Sequence, residues 1–193
     1  LAGRPLALAA PSGQSLLMLS DPLRPGADGD AVLTALGHLA RSRFLAPVLY
    51  KTGGRLAAVA RRRGWSVLPV AREAWLDPRA FTTAGRARAG LRRKLRKAEA
   101  AGVEIVGTSP GDPRPLPFDE MAKIAADWAA DHGGERGFSM GRWDPGPLPW
   151  AHVFLARDPA GRLLGFITLH ANPHEQTLDL MRAHRDVPEG LMY

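Results

Sequence analysis

The chain has 193 residues, of which 45% are hydrophobic, and a formal net charge of +7 at neutral pH. It is long enough to bury a core, as one large domain or two small ones. The absence of cysteine excludes disulfides and thiolate zinc sites and fits the cytoplasm. The apolar runs are far shorter than a membrane span of roughly 20 residues, and the amino end shows no signal-peptide pattern, so we expect a soluble chain.

The first third of the sequence alternates between strand and helix patterns that are separated by glycine and proline. Asp28 or Asp30 is the expected N-cap of the first helix. The predicted elements are a strand at 15–19, a helix at 31–41, a strand at 47–51, a helix at 55–63 and a strand at 65–70. This order is typical of an α/β unit.

A basic segment at 85–97 (GRARAGLRRKLRK) holds seven positive charges and no acid, which equals the net charge of the chain. As a helix ending at the C-cap Gly102, it has an apolar stripe and a basic side. The stripe consists of Ala87, Leu91, Leu95 and Ala98. The basic side consists of Arg86, Arg88, Arg92, Arg93, Arg96 and Lys97 and is closed by Glu99. We expect this side to face a polyanion, and a merely solvated helix face is the alternative.

The last part of the sequence predicts a helix, a long glycine-rich loop and an antiparallel meander. The predicted elements are a short strand at 103–106, a helix at 118–130, the loop at 131–149 and strands at 151–157, 163–170 and 177–183. A tight turn, DPAG, joins the first two strands of the meander. This order indicates an acyltransferase domain of the N-acetyltransferase class.

Three motifs carry a resemblance to a known family. They are FTTAGRARAGLRRKLRKAEAAG at 81–102, ERGFSMGRWD at 135–144 and DLMRAHRDVPEGLMY at 179–193. In this order they resemble the cytoplasmic catalytic region of bacterial phosphatidylglycerol aminoacyltransferases, the multiple peptide resistance factor family. Members of that family move lysine or alanine from tRNA onto the lipid.

The resemblance implies an α/β (α+β) fold of two N-acetyltransferase-like halves in tandem. Residues 1–78 would form part of the first half, residues 79–103 the basic connecting helix, and residues 104–193 the N-terminal part of the second half. We expect both ends to continue into a longer protein. The implied location is the cytoplasmic face of the bacterial plasma membrane, with a membrane-embedded segment outside this chain.

Residues 185–191 (RDVPEGL) stand where an acetyltransferase would hold the pyrophosphate of coenzyme A. Backbone N–H groups of a glycine-rich turn normally do this. Here Pro188 has no N–H, Glu189 adds a repelling charge and only one glycine remains. We therefore expect no cofactor, and an aminoacyl-tRNA as the acyl donor.

Asp179 and Arg182 of the DLMR motif are the predicted catalytic pair. Asp179 would hold the α-ammonium group of the donor or assist proton transfer, and Arg182 would hold a phosphate or the developing oxyanion. A simple ion pair at a strand end is the alternative. Residues three apart in a regular strand point to opposite faces, so joint action requires a bulge near Leu180 or Met181.

Further substrate-binding candidates are Glu135, Ser139 and Arg142 in the glycine-rich loop, where glycine permits close approach of a ligand, although a plain connection is equally compatible with the sequence. The basic side and Glu99 are assigned as a group to tRNA phosphates, and anionic lipid headgroups are the alternative. His170 and His174 are not expected to bind metal, because Asn172 and Pro173 break the helix that this spacing would need.

Three functions remain open at this point. The first is aminoacyl transfer from tRNA to phosphatidylglycerol. The second is acyl transfer from another donor to a small amine by the same fold. The third is a non-catalytic module that binds RNA or an anionic membrane. The sequence leaves the choice of lysine or alanine and the oligomeric state undetermined.

Overall fold

The computed structural model describes residues 6–24, 26–135, 137 and 141–192. The chain divides into two compact units, Leu1–Leu76 and Asp77–Tyr193. The basic segment therefore belongs to the second unit. The assignment of the two units as halves of a tandem acetyltransferase stays a prediction.

The first unit is a three-stranded sheet with two helices. Its elements are β1 (Leu8–Ser12), β2 (Ser15–Leu19), α1 (Gly29–Ser42), β3 (Ala46–Tyr50) and α2 (Gly54–Arg62). The strand order is β1-β2-β3, with β1 antiparallel and β3 parallel to β2. The β2–α1–β3 crossover is the α/β unit that the sequence predicts.

Helix α1 covers the sheet because its apolar residues recur every three or four positions. Leu33 and Leu36 are buried against Leu16 and Met18, the inward residues of β2. The Asp28 side chain caps the helix by accepting a hydrogen bond of 3.1 Å from the Asp30 N–H. The predicted cap is thereby confirmed at Asp28.

The predicted strand at 65–70 is wrong. Trp65 and Val67 pack on the core of the first unit, but the segment has no strand partner. Pro69 has no N–H for a ladder, and the alternate side chains Leu68 and Val70 are exposed. The alternation of the sequence is real, yet it produces an extended segment instead of a strand.

The second unit places one α-helix against a four-stranded antiparallel sheet. A 3₁₀ turn (Arg86–Arg88) leads into α3 (Ala89–Ala100), followed by β4 (Glu104–Thr108), α4 (Phe118–Asp131), β5 (His152–Arg157), β6 (Leu163–Ala171) and β7 (Gln176–Ala183). The strand order is β4-β5-β6-β7, so the predicted meander is confirmed. In the described ranges no helix has the length and apolarity to cross a bilayer.

The core of the second unit lies between α4 and the sheet. Met121 and Ile124 of α4 are fully buried and share a cluster with Val153, Phe166 and Leu180 from three strands. The predicted apolar face of α4 is confirmed at these positions. Phe118, which the pattern also assigns to that face, is 39% exposed because it begins the helix.

Helix α3 begins later than the charge pattern predicts. Ala87 lies in the 3₁₀ turn and is exposed, so its assignment to the apolar stripe is wrong. Leu91, Leu95 and Ala98 are half-buried. The helix ends as predicted at Gly102, which has φ +71° and donates its N–H to the Glu99 carbonyl at 2.9 Å.

Gly190 lies where the C-terminal turn of the second unit packs on the backbone of α3. A Cβ at Gly190 would collide with the Lys94 carbonyl group, and Gly190 also has φ +106°. We expect Gly190→Ala to lower the free energy of unfolding by more than about 2 kcal/mol, because strain and collision add. Urea denaturation measures this.

Gly161→Ala is the matched control, because Gly161 has φ +82° but open space around the added Cβ. This variant should show only the strain of the left-handed backbone, roughly 1–2 kcal/mol. Equal losses in the two variants would show that the turn does not dock on α3.

Candidate active site

A bulge in β7 displaces Asp179 from the regular pairing of β6 and β7. Thr168 pairs with Leu180 and Leu169 pairs with Leu178, so Asp179 has no partner in the ladder. The bulge that joint action of Asp179 and Arg182 requires is therefore present, one residue before the predicted position. Strand alternation then resumes, with Leu180 and Arg182 buried and Met181 exposed.

Gly141 of the glycine-rich loop lies against both predicted catalytic residues. A Cβ at Gly141 would collide with the Asp179 carboxylate and lie 2.8 Å from the Leu180 side chain. The Gly141 carbonyl accepts a hydrogen bond of 3.4 Å from Arg182 Nη2. The bulge thus brings Asp179 and Arg182 to one point of the loop, although the two side chains have different partners.

The Asp179 carboxylate is held by residues of β6. Its Oδ2 accepts a hydrogen bond of 3.0 Å from Thr168 Oγ1, and Thr168 Oγ1 accepts one of 3.0 Å from the Leu180 N–H. His170 Nε2 lies 3.4 Å from the same carboxylate oxygen. Thr168 is fully buried, whereas the Asp179 side chain retains 22% exposure. Asp179 is thus fixed in orientation and still accessible.

Arg182 forms a buried ion pair with Glu135 across the base of the loop. Arg182 Nη2 lies 2.9 Å from Glu135 Oε2, and the two side chains are 8% and 16% exposed. The guanidinium carbon lies 3.6 Å from the centre of the Trp128 ring, and Nη1 donates to the Met181 carbonyl at 3.1 Å. The alternative of a simple Asp179–Arg182 ion pair is not the arrangement observed.

Two buried polar atoms of this pair lack a hydrogen-bond partner among the described residues. They are Arg182 Nε, a donor, and Glu135 Oε1, an acceptor. Unsatisfied buried groups are rare because each carries a desolvation penalty. A site that leaves one donor and one acceptor unpaired has the capacity to bind a further polar group.

Trp128 contacts the predicted catalytic residue Arg182, and the sequence pattern does not reveal this contact. Its position on the apolar stripe of α4 predicts a core residue, but its ring covers the Arg182 guanidinium and stacks on His132 at 4.2 Å. His132 Nδ1 lies 2.8 Å from the Trp128 carbonyl oxygen, which holds the stacked pair at the helix end. In the sequence, the i, i+4 spacing of Trp128 and His132 is the pattern from which this stacking could be predicted.

A cavity of about 230 Å³ opens beside Asp179. It is lined by Arg142, Asp144, Pro147, Leu148, Ala151, His170, Asp179 and Leu180. Arg142, a predicted substrate-binding residue, is exposed and has no ion pair or hydrogen bond within the described part of the chain. Ser139, the other candidate of the loop, lies outside the described residues.

His170 and Asp144 also line this cavity, although the sequence pattern does not select them as site residues. In the sequence, His170 is conspicuous only for its spacing to His174. The relevant signal is its spacing of two from Thr168 on β6, which places both side chains on one face beside Asp179. Arg142 and Asp144 have the same spacing in the loop.

The cations of the basic segment fall into two groups: those that contact other residues of the chain, and those whose charge is available to a ligand. Arg92 Nη1 donates to the Thr83 carbonyl and, at 2.7 Å, to the Gly85 carbonyl. The Arg88 guanidinium lies 4.5 Å from the centre of the Phe81 ring. Lys97 forms an ion pair with Glu189. These three side chains therefore help to fold the segment itself.

Arg86, Arg93 and Arg96 are exposed, as is Glu99. Within the described ranges, Arg86 and Arg96 make no hydrogen bond or ion pair, and Arg93 interacts only through its charge with Glu189. An anionic ligand would therefore meet mainly these three arginines. The prediction that all six cations act as one group stays untested.

The turn at 185–191 is closed by α3. Lys97 hydrogen-bonds Glu189 and lowers the pKa of that carboxyl group, and the charges of Arg93 and Lys94 lower it further. The ion pair is therefore complete above the ordinary carboxyl pKa and weakens as pH falls through the lowered value. Gly190 meanwhile contacts the Lys94 backbone. The expectation that this turn does not hold a pyrophosphate stays a prediction.

Gly141→Ala tests the packing of the loop on the bulged strand. The added Cβ has no space beside Asp179 and Leu180, so we expect a loss of about 1–3 kcal/mol in the free energy of unfolding. Gly137→Ala is the matched control, since a Cβ at Gly137 meets open space. If both variants unfold at the same urea concentration as the unmodified chain, the loop does not pack on β7 in solution.

Two mixed α/β units, one with an antiparallel meander and a bulged strand beside a polar cavity, define an α+β fold of the N-acetyltransferase type. Comparison with known proteins makes the assignment specific. The chain belongs to the family of phosphatidylglycerol lysyltransferase C-terminal domains, whose profile matches residues 2–193.

Curated relatives include the phosphatidylglycerol lysyltransferases of Bacillus subtilis and Staphylococcus haemolyticus. The first is 25% identical and aligns with 98% of this chain, and the second is 23% identical and aligns with 93%. The aligned regions are 22% and 21% of those proteins. The chain therefore spans about a fifth of the length of the relatives that it matches.

Two solved structures share the fold. L-PGS from Bacillus licheniformis has a TM-score of 0.82 and 25% identity, covering 95% of this chain and 57% of that chain. The C-terminal domain of a putative lysylphosphatidylglycerol synthetase from Agrobacterium fabrum has a TM-score of 0.84 and 24% identity, with coverages of 95% and 58%. At 24% identity, the similarity to the Agrobacterium fabrum domain shows only that the fold is shared.

Proposed function

We propose that this chain carries the aminoacyl-transfer site of a lipid aminoacylation enzyme, which moves lysine or alanine from an aminoacyl-tRNA to phosphatidylglycerol. The observation that carries the proposal is the bulged Asp179, whose carboxylate opens on a cavity that also contains Arg142. The relatives, which are named phosphatidylglycerol lysyltransferases, support the lipid acceptor and the transferase class.

The reaction is a transesterification. A glycerol hydroxyl oxygen of the lipid attacks the carbonyl carbon of the ester that joins the amino acid to the tRNA. The new ester forms, the bond to the ribose oxygen breaks, and the hydroxyl proton ends on that ribose oxygen. Because the donor ester is already activated, positioning and charge stabilisation supply most of the catalysis.

Asp179 is the residue we assign to the reacting end of the donor. Thr168 holds one carboxylate oxygen, and this fixes the direction of the other. The carboxylate either pairs with the α-ammonium group of the amino acid or takes the proton of the attacking hydroxyl. We assign Arg142, which lines the same cavity, to hold a phosphate or the oxyanion.

Arg182 acts by positioning the loop in this account. It is buried and holds both Glu135 and the Gly141 carbonyl, so it fixes the loop next to Arg142, which lines the cavity beside Asp179. The predicted contact of Arg182 with a phosphate or oxyanion stays a prediction. Its unpaired Nε is the donor through which such a contact would form.

The available cations of the basic segment supply the surface for tRNA. Arg86, Arg93 and Arg96 are exposed and form no ion pair within the described ranges, so their charges can contact phosphates. The acceptor is a membrane lipid and the donor a tRNA, so the reaction belongs at the cytoplasmic face of the bacterial plasma membrane. A membrane-embedded segment of the same protein outside this chain is part of the proposal.

The test uses the intact protein, vesicles containing phosphatidylglycerol, and tRNAs charged separately with labelled lysine or labelled alanine. We expect label in the lipid from one of the two donors, and transfer slower by a factor of at least about 100 after Asp179→Asn. Asp119→Asn, on the exposed first turn of α4, is the matched control and should leave transfer unchanged. Absence of lipid label with both donors, while both substrates bind, would refute the proposal.

A further inference from the structure

Phe44 is the most exposed large apolar side chain described in this protein, at 98% exposure. It lies two residues after the end of α1, and its N–H donates to the Arg41 carbonyl at 3.0 Å. The next residue, Leu45, donates its N–H to the Ala40 carbonyl at 2.9 Å and turns back towards the core. The helix thus ends in a Schellman motif with Phe44 at its apex.

The apex of this motif normally contains glycine because its backbone is left-handed. Phe44 has φ +55°, a conformation that is strained for a residue with a bulky side chain. A phenylalanine here has neither the backbone preference nor the packing that would explain its presence. Such an outlier points to a role outside the fold of the unit.

The charges around Phe44 indicate the kind of partner. Arg41 and Arg43 precede it in the chain, and residues 31–72 contain eight lysines and arginines but no acid. Asp28 and Asp30 lie at the opposite end of α1, roughly 20 Å away for a helix of this length. The charged side chains at the Phe44 end of α1 are therefore basic, and the acidic ones lie at the other end. Leu39, in the last turn of the helix, adds a second exposed apolar side chain.

From this arrangement we infer that the α1 apex, defined as Leu39, Arg41, Arg43 and Phe44, docks the first unit on an anionic lipid bilayer. The Phe44 ring enters the boundary between headgroups and acyl chains, and the two arginines contact lipid phosphates. Exposed aliphatic and aromatic side chains together favour a bilayer over a nucleic acid, because a leucine offers no face for base stacking. This inference is independent of the proposed transfer reaction.

Sedimentation of the 193-residue chain with lipid vesicles tests the inference without any tRNA. The vesicles contain equal parts of phosphatidylglycerol and phosphatidylcholine, or phosphatidylcholine alone. We expect binding to the anionic vesicles only, and about a tenfold weaker partition for Phe44→Gly. The same variant should unfold at a higher temperature, because glycine relieves the strained backbone. Loss of binding with a gain of stability cannot come from misfolding.

Two matched controls accompany this variant. Leu23→Ala removes an apolar side chain with 50% exposure after β2, away from the apex, and should leave binding unchanged. Arg41→Gln with Arg43→Gln should weaken binding more than Arg61→Gln with Arg62→Gln, which removes two exposed charges of α2. Equal partition of Phe44→Gly and the unmodified chain would overturn the inference. A parallel titration with a single-stranded RNA oligonucleotide gives a second criterion. The inference would also be overturned if Phe44→Gly weakened RNA binding and left vesicle binding unchanged.

Discussion

Replacing Arg182 by methionine is expected to lower the free energy of unfolding by about 3–5 kcal/mol. The substitution leaves the Glu135 carboxylate buried without its partner, which costs more than the intact pair contributes. It also removes the contact with the Trp128 ring. The double variant Glu135→Gln with Arg182→Met removes both charges and should recover most of this loss. Urea denaturation of the three proteins measures both effects.

The double variant also separates a structural role of Arg182 from a role in the site. If Arg182 only stabilises the fold, transfer activity returns with stability. We expect activity to stay low, because the Gly141 carbonyl and the loop lose their anchor beside Asp179. A displacement of about 1 Å in a positioned reactant costs roughly a hundredfold in rate. Full activity in the stable double variant would contradict the positioning role.

Asp179→Asn is expected to reduce the rate of aminoacyl transfer by about 10²–10⁴-fold. The amide keeps the size of the carboxylate and can still accept the hydrogen bond from Thr168, so stability should change by less than about 1 kcal/mol. What it loses is the negative charge that pairs with an ammonium group or accepts a proton. Steady-state transfer and urea denaturation together measure this.

Asp144→Asn is the matched control for this variant, because Asp144 lines the same cavity but lies in the loop instead of the bulge. Its carboxylate caps a local turn by accepting the Gly146 N–H at 2.9 Å. We expect a smaller loss of transfer than for Asp179→Asn. A larger loss for Asp144→Asn would move the reacting carboxylate from the strand to the loop.

Local patterns in the sequence were sufficient for the elements that bury one face. Helices α1 and α4 follow their hydrophobic periodicity closely, whereas β6, with four consecutive buried residues, is recognised by its apolar run. The segment at 65–70 shows why the same rule fails elsewhere. It has the alternation of a strand, but a strand also needs a neighbour, and pairing between distant segments is not encoded in the local pattern.

Strand β1 illustrates the opposite failure. Its sequence, LAAPS, contains proline and no β-branched residue, so propensity does not predict a strand. It forms because it pairs with β2 at the edge of the sheet, where a proline is tolerated.

The candidate site was partly predictable because one geometric argument could be made without a structure. Residues 179 and 182 cannot act together in a regular strand, so their pairing in a motif requires a bulge, and the structure contains one at Asp179. The partners of the two side chains could not be predicted. Thr168, His170, Trp128 and Glu135 come from other elements, and only the fold places them beside the DLMR residues.

A single-turnover measurement tests the central claim most directly. The intact protein is mixed with tRNA carrying one labelled amino acid and with phosphatidylglycerol vesicles, and label in tRNA and in lipid is followed over time. We expect one amino acid to leave the tRNA for each lipid modified. We also expect Asp179→Asn to bind both substrates but to transfer the amino acid at least about 100-fold more slowly. Transfer at an unchanged rate in Asp179→Asn would contradict the account.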